Sequence, residues 1–467
     1  MAAIMRTKPN QEETSMATAS RFDIVGNGNT KSILIAVGLA CALMFSGAHA
    51  QQRCANLNYD ESQVGGYTVP DPLLGKDGNR ITDPTSWRHK RRDEILRDFR
   101  DLMYGHTPEL PIKLRAQVVA TREDAVDGLA TRTIVNLYFF DDPKAPHIEL
   151  MYYVPNKANR PVPMFLGLSF MGNASIDDDP AIGLPTGWMR PQQSVVVNNR
   201  ATEKLRGAGA DSWPIKLAIE RGFGVATFYY GDVEPDHIEG WRDGIRGYAL
   251  QLAGRTERGP QEWGALGAWA WGLSRAMDHL ATIPEVNARQ VVVLGHSRLG
   301  KTALWAGAQD ERFAIVISNN SGEGGASLAR RDFGENIACS IEHASWRYCD
   351  RFRDYVDREN ELPFDQHMLL GLIAPRPIYV ASATNDSLAD PKGEFLTAAH
   401  AEPIYHVFGL RGVDTSTWPQ PDKPIGQTIG YHLRTGNHAI TKYDWEQYLG
   451  FADRQFKNRM TREEPKP

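Results

Sequence analysis

The sequence predicts an α/β protein built as a three-layer sandwich, with helices covering a mainly parallel central sheet. Two patterns point there. Short apolar runs rich in β-branched residues alternate along the chain with helix-patterned segments, as in successive β–α units. One such run, residues 291–294, leads through Gly295-His296-Ser297 straight into a helix-forming stretch. The composition agrees: 42% of the 467 residues are hydrophobic and 23% charged, which suits a globular core and excludes collagenous, coiled-coil and wholly disordered chains. With 52 Lys and Arg against 57 Asp and Glu the net charge is −5. No basic block is present to track phosphates, so neither a nucleic acid nor an anionic membrane surface is an expected partner.

Residues 1–50 stand apart. Lys31 precedes the apolar run 33–45, and Ala48-His49-Ala50 follows. That run falls short of the roughly 20 residues needed to span a bilayer, and the small residues form an A-x-A cleavage site, so the segment reads as a secretory signal. The expected mature chain begins at Gln51, is secreted or periplasmic, and keeps no stable membrane association once the leader is cut. It retains Cys54, Cys339 and Cys349. A bridge between Cys339 and Cys349 across a short loop, with Cys54 free, and a set of free buried thiols are both open readings. With no CxxC, HExxH or EF-hand loop, no metal site is expected, and no cofactor.

After the leader, residues 51–115 read as a polar N-terminal arm packed on the core, with one helix over 86–104. Residues 116–460 read as the catalytic domain, and 51–460 as one structural unit. Strands are expected at 116–121, 131–140, 148–154 and 164–170, the last apolar on both faces as in a buried parallel strand. Helix and strand then alternate: 215–221 and 224–230, 265–283 and 291–294, 301–309 and 314–318. Two long connections, 172–214 and 334–362, are expected above the strand ends, where substrates of α/β folds bind. The second contains Trp346 and Tyr348.

The strand, the turn Gly295-His296-Ser297 and the helix after it form a nucleophile elbow, in which a sharp turn exposes the serine oxygen and the helix N-terminus can stabilise an oxyanion. This makes the sandwich an α/β-hydrolase fold. The second glycine falls one position later than in G-x-S-x-G, at Gly300. A serine needs a base, which in this fold follows the last strand. Among the downstream histidines, His438 in the turn-prone Thr435-Gly436-Asn437-His438 suits that place. His400 and His406 read as flanking a helix-to-strand passage. The orienting acid should follow the strand at 378–382, with Asp386 first, and with Asp390 and Glu323 as alternatives. Asp390, directly before Pro391, also reads as a helix cap.

Several stretches together resemble the glucuronoyl esterases, carbohydrate esterase family 15, of the bacterial type. They are Gly295-His296-Ser297-Arg298-Leu299-Gly300-Lys301, Ser318-Asn319-Asn320-Ser321-Gly322-Glu323-Gly324-Gly325, Leu362-Pro363-Phe364-Asp365-Gln366-His367, Ala374-Pro375-Arg376-Pro377, Asp390-Pro391-Lys392-Gly393-Glu394 and Gly436-Asn437-His438. The resemblance implies a serine esterase of the 4-O-methyl-glucuronoyl methylesterase type, acting on esters of (4-O-methyl-)glucuronic acid such as the lignin–carbohydrate links of glucuronoxylan. It implies that Arg298 supports the oxyanion and that Lys301 and Glu335 contact the sugar, to which we add Trp346 from the insertion. Three departures stand out. Asn320 occupies the position where many members carry the triad acid as Glu, which favours Asp386. Ser387 or Leu388 replaces a pocket Trp, and His296 excludes the disulfide that fungal members form from the preceding position. A carboxylesterase acting on acetyl-xylan and a non-catalytic sugar-binding relative are the competing expectations.

Overall fold

A computed structural model of the protein describes residues 54, 56–158, 161–192, 194–414 and 417–463. The expected leader, 1–50, lies outside the described residues. We label the sheet strands β1 Arg115–Asp124, β2 Ala130–Tyr138, β3 His147–Pro155, β4 Val162–Ser169, β5 Gly224–Tyr229, β6 Val286–His296, β7 Ile315–Asn319, β8 Ile378–Ala383, β9 Ile425–Gly426 and β10 Ile429–Arg434. The helices used below are α1 Arg92–Phe99, α2 Ala265–Leu280, α3 Arg298–Gln309, α4 Ile337–Ala344, α5 Pro391–Val407 and α6 Lys442–Glu463.

The ten strands form one sheet in the order β1-β2-β3-β5-β4-β6-β7-β8-β10-β9. From β5 to β10 neighbouring strands run parallel, whereas β1, β2 and β3 join as antiparallel hairpins at one end. Chemistry matches position. The central strands β5, β7, β8 and β10 are buried along their whole length, as parallel strands covered on both faces must be. β1 is exposed almost throughout and carries Arg115, Gln117, Arg122, Glu123 and Asp124, polar residues that keep an open edge from pairing with another chain.

The helix expected at 86–104 is a longer helical run from Pro84 to Tyr104, with π-type turns at Trp87–Arg91 and Arg100–Tyr104 on either side of α1. It is no loose appendage. Trp87, Phe99 and Tyr104 are fully buried; Phe99 packs 4.0 Å from the Phe364 ring centroid and Tyr104 stacks at 4.4 Å on Trp305 of α3. The arm therefore supports the helix that follows Ser297, and Tyr104 Oη donates to the Gly324 carbonyl at 2.9 Å. His400 and His406 both lie within α5, so the expected passage to a strand between them is replaced by continuous helix.

The cysteines pair differently from either reading. Cys54 is bonded to Cys339, and Cys349 is a free, buried thiol. The bridge joins positions 285 residues apart, a pairing that only the docking of the arm onto α4 brings about. Among the described residues, no helix is long and apolar enough to cross a membrane.

Candidate active site

β6 ends at His296 and α3 begins at Arg298, leaving Ser297 alone in the turn with φ 55° and ψ −133°. A non-glycine residue held there is strained, and the surrounding packing must enforce it. Ser297 N–H donates to the Asn319 carbonyl at 2.9 Å, and its own carbonyl accepts Gly300 N–H at 2.8 Å. Gly295 is required because a Cβ there would overlap the Leu299 carbonyl, and at Gly300 one would press on Ser321 Cβ and the Gly295 carbonyl. The displaced second glycine thus still serves close packing beneath the elbow.

His438 lies in the loop between β10 and α6, and this loop is tied to the one after β8. Asn385 N–H donates to the Gly436 carbonyl at 2.9 Å and Gly436 N–H to Thr384 Oγ1 at 3.1 Å. The tie brings His438 Nδ1 to 2.6 Å from Asp386 Oδ2, and Asp386 is buried while His438 stays 43% exposed. The same carboxylate oxygen accepts Asn320 Nδ2 at 2.7 Å. Beside the elbow, the His438 ring lies 4.5 Å from that of His296, the residue before Ser297. His296 Nδ1 meets Asn319 Oδ1 at 2.6 Å, and Asn319 Nδ2 is itself bonded to Tyr448 Oη at 2.7 Å. Burial, reinforced by His438, lowers the His296 pKa to about 4, so it presents a neutral ring to its neighbour.

Arg298 lies against the aromatic faces of Phe170 and Tyr230, 4.6 and 5.2 Å from their centroids. Its Nε pairs with Asp236 Oδ2 at 2.9 Å. Asp236 was not read from the sequence, yet it gathers Arg298, both arms of Arg347 (2.9 and 2.7 Å) and the Trp346 indole N–H at 2.9 Å. Burial would raise this carboxyl, but Arg347 and Arg298 prevail and hold it at about 2. No local motif marks Asp236; it follows Glu234-Pro235 in a connection, and only the fold surrounds it with cations.

Lys301 is buried one helical turn after Ser297, and its Nζ stands 3.3 Å from Glu335 Oε2. Burial works against the ammonium, but Glu335, Tyr348 and Glu323 together outweigh it and the Lys301 pKa rises above its usual value. Glu323, one alternative acid, is buried close enough to Lys301 to feel its charge, and burial pushes its pKa well up. Asp390, the other alternative, caps α5 through Gly393 N–H at 3.0 Å and pairs with Arg331 Nε at 2.9 Å. Its hydrogen bonds run to the helix, to Ser327 Oγ and to the arginine; the carboxylate bonded to His438 is Asp386.

One group of potential metal ligands occurs among the described residues, Cys54, Cys339 and His343. Two of its three donors are spent in the disulfide.

The arrangement can activate a serine for acyl transfer beside an arginine suited to developing negative charge. Comparison with known proteins points the same way. The family model for glucuronyl esterase of fungi matches residues 211–409. A curated relative from an unknown prokaryotic organism, the carbohydrate esterase MZ0003, is 46% identical over 407 residues, covering 87% of this chain and 93% of the relative. A solved glucuronoyl esterase from Solibacter usitatus superposes with TM-score 0.80 at 46% identity, over 85% of this chain and 100% of that one. A structure described as a promiscuous CE15 esterase from the marine bacterial metagenome matches with TM-score 0.80 and 45% identity, over 85% and 99% of the two chains.

Proposed function

This chain belongs to carbohydrate esterase family 15, is a carbohydrate esterase of the 4-O-methyl-glucuronoyl methylesterase type acting on glucuronoyl esters, and on that premise we propose that it works as a secreted serine esterase through an acyl-enzyme on Ser297. The observation that carries the mechanism is the 2.6 Å contact between His438 Nδ1 and Asp386 Oδ2, with the His438 ring seated against His296 beside the nucleophile. With Nδ1 committed to Asp386, Nε2 is the nitrogen left to act as base. It accepts the Ser297 Oγ proton as that oxygen attacks the ester carbonyl, and Asp386 stabilises the imidazolium that forms. The negative oxygen of the tetrahedral intermediate falls to Arg298 and to the N–H groups opening α3. His438 then returns its proton to the departing alcohol. Water, deprotonated by the same histidine, releases the uronic acid.

The acyl group on this reading is (4-O-methyl-)glucuronate, as in the ester links between glucuronoxylan and lignin alcohols. Lys301 and Glu335 form a charged pair that can hydrogen-bond sugar hydroxyls, and Trp346, whose indole N–H donates to Asp236, is the further proposed sugar contact. Removal of the leader and export are supported by the A-x-A segment at 48–50 and by the Cys54–Cys339 bridge, since structural disulfides persist outside the reducing cytosol. A wider range of esters is the second reading, favoured because a relative 45% identical is described as promiscuous. The deciding experiment compares kcat/KM on benzyl glucuronate, acetylated xylan and nitrophenyl acetate, with Ser297→Ala and His438→Ala as controls. A strong preference for the glucuronate with both variants inactive is expected. Near-normal turnover by either variant overturns the mechanism, and equal rates on all esters overturn the substrate class.

A further inference from the structure

We propose that Cys54, Asn58 and Glu61 of the N-terminal arm are positioning residues for Glu335, so that the arm governs selectivity for the uronate sugar without taking part in acyl transfer. The inference rests on the assignment of Glu335 as a sugar contact.

Glu335 sits in a strap pinned on both sides. Its own N–H donates to the Leu388 carbonyl at 2.8 Å, two residues beyond the triad acid Asp386, while the N–H of Gly334 donates to the Asn58 carbonyl at 2.8 Å. The two consecutive amides therefore hold the strap between the acid loop and the arm. Asn58 adds a second bond, from Nδ2 to the Asp332 carbonyl at 2.6 Å. Gly334 has φ 70°, and a Cβ there would press on the Ser387 and Leu388 carbonyls, so the strap lies too close to the acid loop to carry a side chain at this point.

Further attachments bracket this segment. On its N-terminal side, Glu61 pairs with Arg331, which also holds Asp390. On its C-terminal side, the Cys54–Cys339 bridge fastens the arm to the first turn of α4, just past the Asn336 cap. Glu335 is thus carried on a short span whose two ends are bonded to Glu61 and Cys54 of the arm, and its carboxylate faces Lys301. Beyond the bonds within the arm itself, and among the described residues, the hydrogen bonds, ion pairs and disulfide of Cys54, Asn58 and Glu61 run to this strap, to Arg331, Cys339, His343 and Lys392, and none reaches Ser297, His438, Asp386 or Arg298. Loosening the arm should therefore displace a sugar contact and leave the acyl-transfer groups in place, because the arm's bonds reach the strap and not those groups.

The test measures kcat and KM on benzyl glucuronate and on nitrophenyl acetate for the full chain and for Asn58→Ala, Cys54→Ser, Glu335→Ala and the double variant Asn58→Ala/Glu335→Ala. Thermal melting checks that each is folded. Asn58→Ala and Cys54→Ser should raise KM for the glucuronate roughly three- to ten-fold, the effect of about one hydrogen bond, with kcat and acetate turnover nearly unchanged. The double variant should be no worse than Glu335→Ala alone, since both remove the same contact. If Glu335→Ala is selective but the arm variants spare the glucuronate, slow both esters equally, or add fully to Glu335→Ala, the arm inference is overturned and the sugar assignment stands. If Glu335→Ala is itself unselective, the assignment fails and the inference with it. Should Cys54→Ser not fold, the same kinetics on the native protein before and after a thiol reductant replace it, with a selective rise in KM expected and an unchanged KM counting against the proposal.

Discussion

A single oxygen of Asp386, Oδ2, is reached by both His438 Nδ1 at 2.6 Å and Asn320 Nδ2 at 2.7 Å. The amide occupies the position from which many relatives are expected to supply the acid, and here it donates to the acid instead. The carboxylate is thereby held in one orientation, with the oxygen that faces His438 fixed where an imidazolium would form.

Asp386→Asn should therefore lower kcat on every ester by about 10³- to 10⁴-fold, as loss of the orienting acid does in other triads. Asn320→Ala should cost far less, about ten-fold, the value of one hydrogen bond to a charged group. Asp390→Asn should reduce the melting temperature through the weakened Arg331 pair and leave kcat of the folded enzyme nearly intact. Steady-state kinetics with parallel melting curves separate the three, and a larger kcat loss in Asp390→Asn than in Asp386→Asn would reverse the assignment.

Arg298→Ala should slow glucuronate and acetate esters alike, by about 10² to 10³ in kcat, because oxyanion charge develops in every acyl transfer. Asp236→Asn should act in the same direction but more weakly, since it frees Arg298 without removing it. A loss confined to the glucuronate would assign Arg298 to the sugar.

Lys301→Ala should behave in the opposite way. Acetate offers no sugar hydroxyls, so only glucuronoyl esters can lose the contact, by about ten-fold to more than a hundred-fold in kcat/KM if it persists in the transition state. Equal losses on both esters would mark Lys301 as a support of the elbow.

Glu394 supplies a pH prediction. Its Oε1 accepts the N–H groups of Ser321 at 2.7 Å and Gly322 at 3.0 Å, its Oε2 bonds Ser382 Oγ at 2.6 Å, and burial raises its pKa to about 8. A carboxyl raised on folding favours the folded state while it is protonated. Its contribution is complete below the unfolded value near 4.5 and is lost progressively as pH climbs toward 8. Glu394→Gln should flatten the fall in stability between pH 5 and 8 by up to about 1.4 kcal/mol per pH unit, one proton's worth. Denaturant titrations at several pH values test it, and an unchanged slope would show that Glu394 is ionised in the folded protein.

Local chemistry accounts for what was legible. Apolar runs at 164–170, 224–230 and 378–382 announce buried strands because a strand covered on both faces must be apolar on both. The elbow is legible for the same reason: Gly295, Ser297 and the helix formers after them are neighbours in the chain. β10 was not delimited, since Ile429-Gly430-Tyr431-His432-Leu433-Arg434 carries two basic side chains in a fully buried strand. They are tolerated because Asp444, on α6, meets His432 at 2.8 Å and Arg434 at 3.0 Å, a compensation that hydropathy along the chain does not register.

By itself the sequence determined the α/β-hydrolase architecture, the elbow turn around Ser297 and the loop that carries His438, because each is written in adjacent residues with a fixed backbone requirement. Tertiary structure alone decided which carboxylate meets His438, which cysteine Cys54 joins, and that Asp236 gathers Arg298, Arg347 and Trp346. These partners lie 52 to 285 residues apart. A charge or a thiol can pair with any partner its side chain reaches, and several acids and cysteines competed for each place. Only the packing of the arm, the strap and the loops above the strand ends removes all candidates but one.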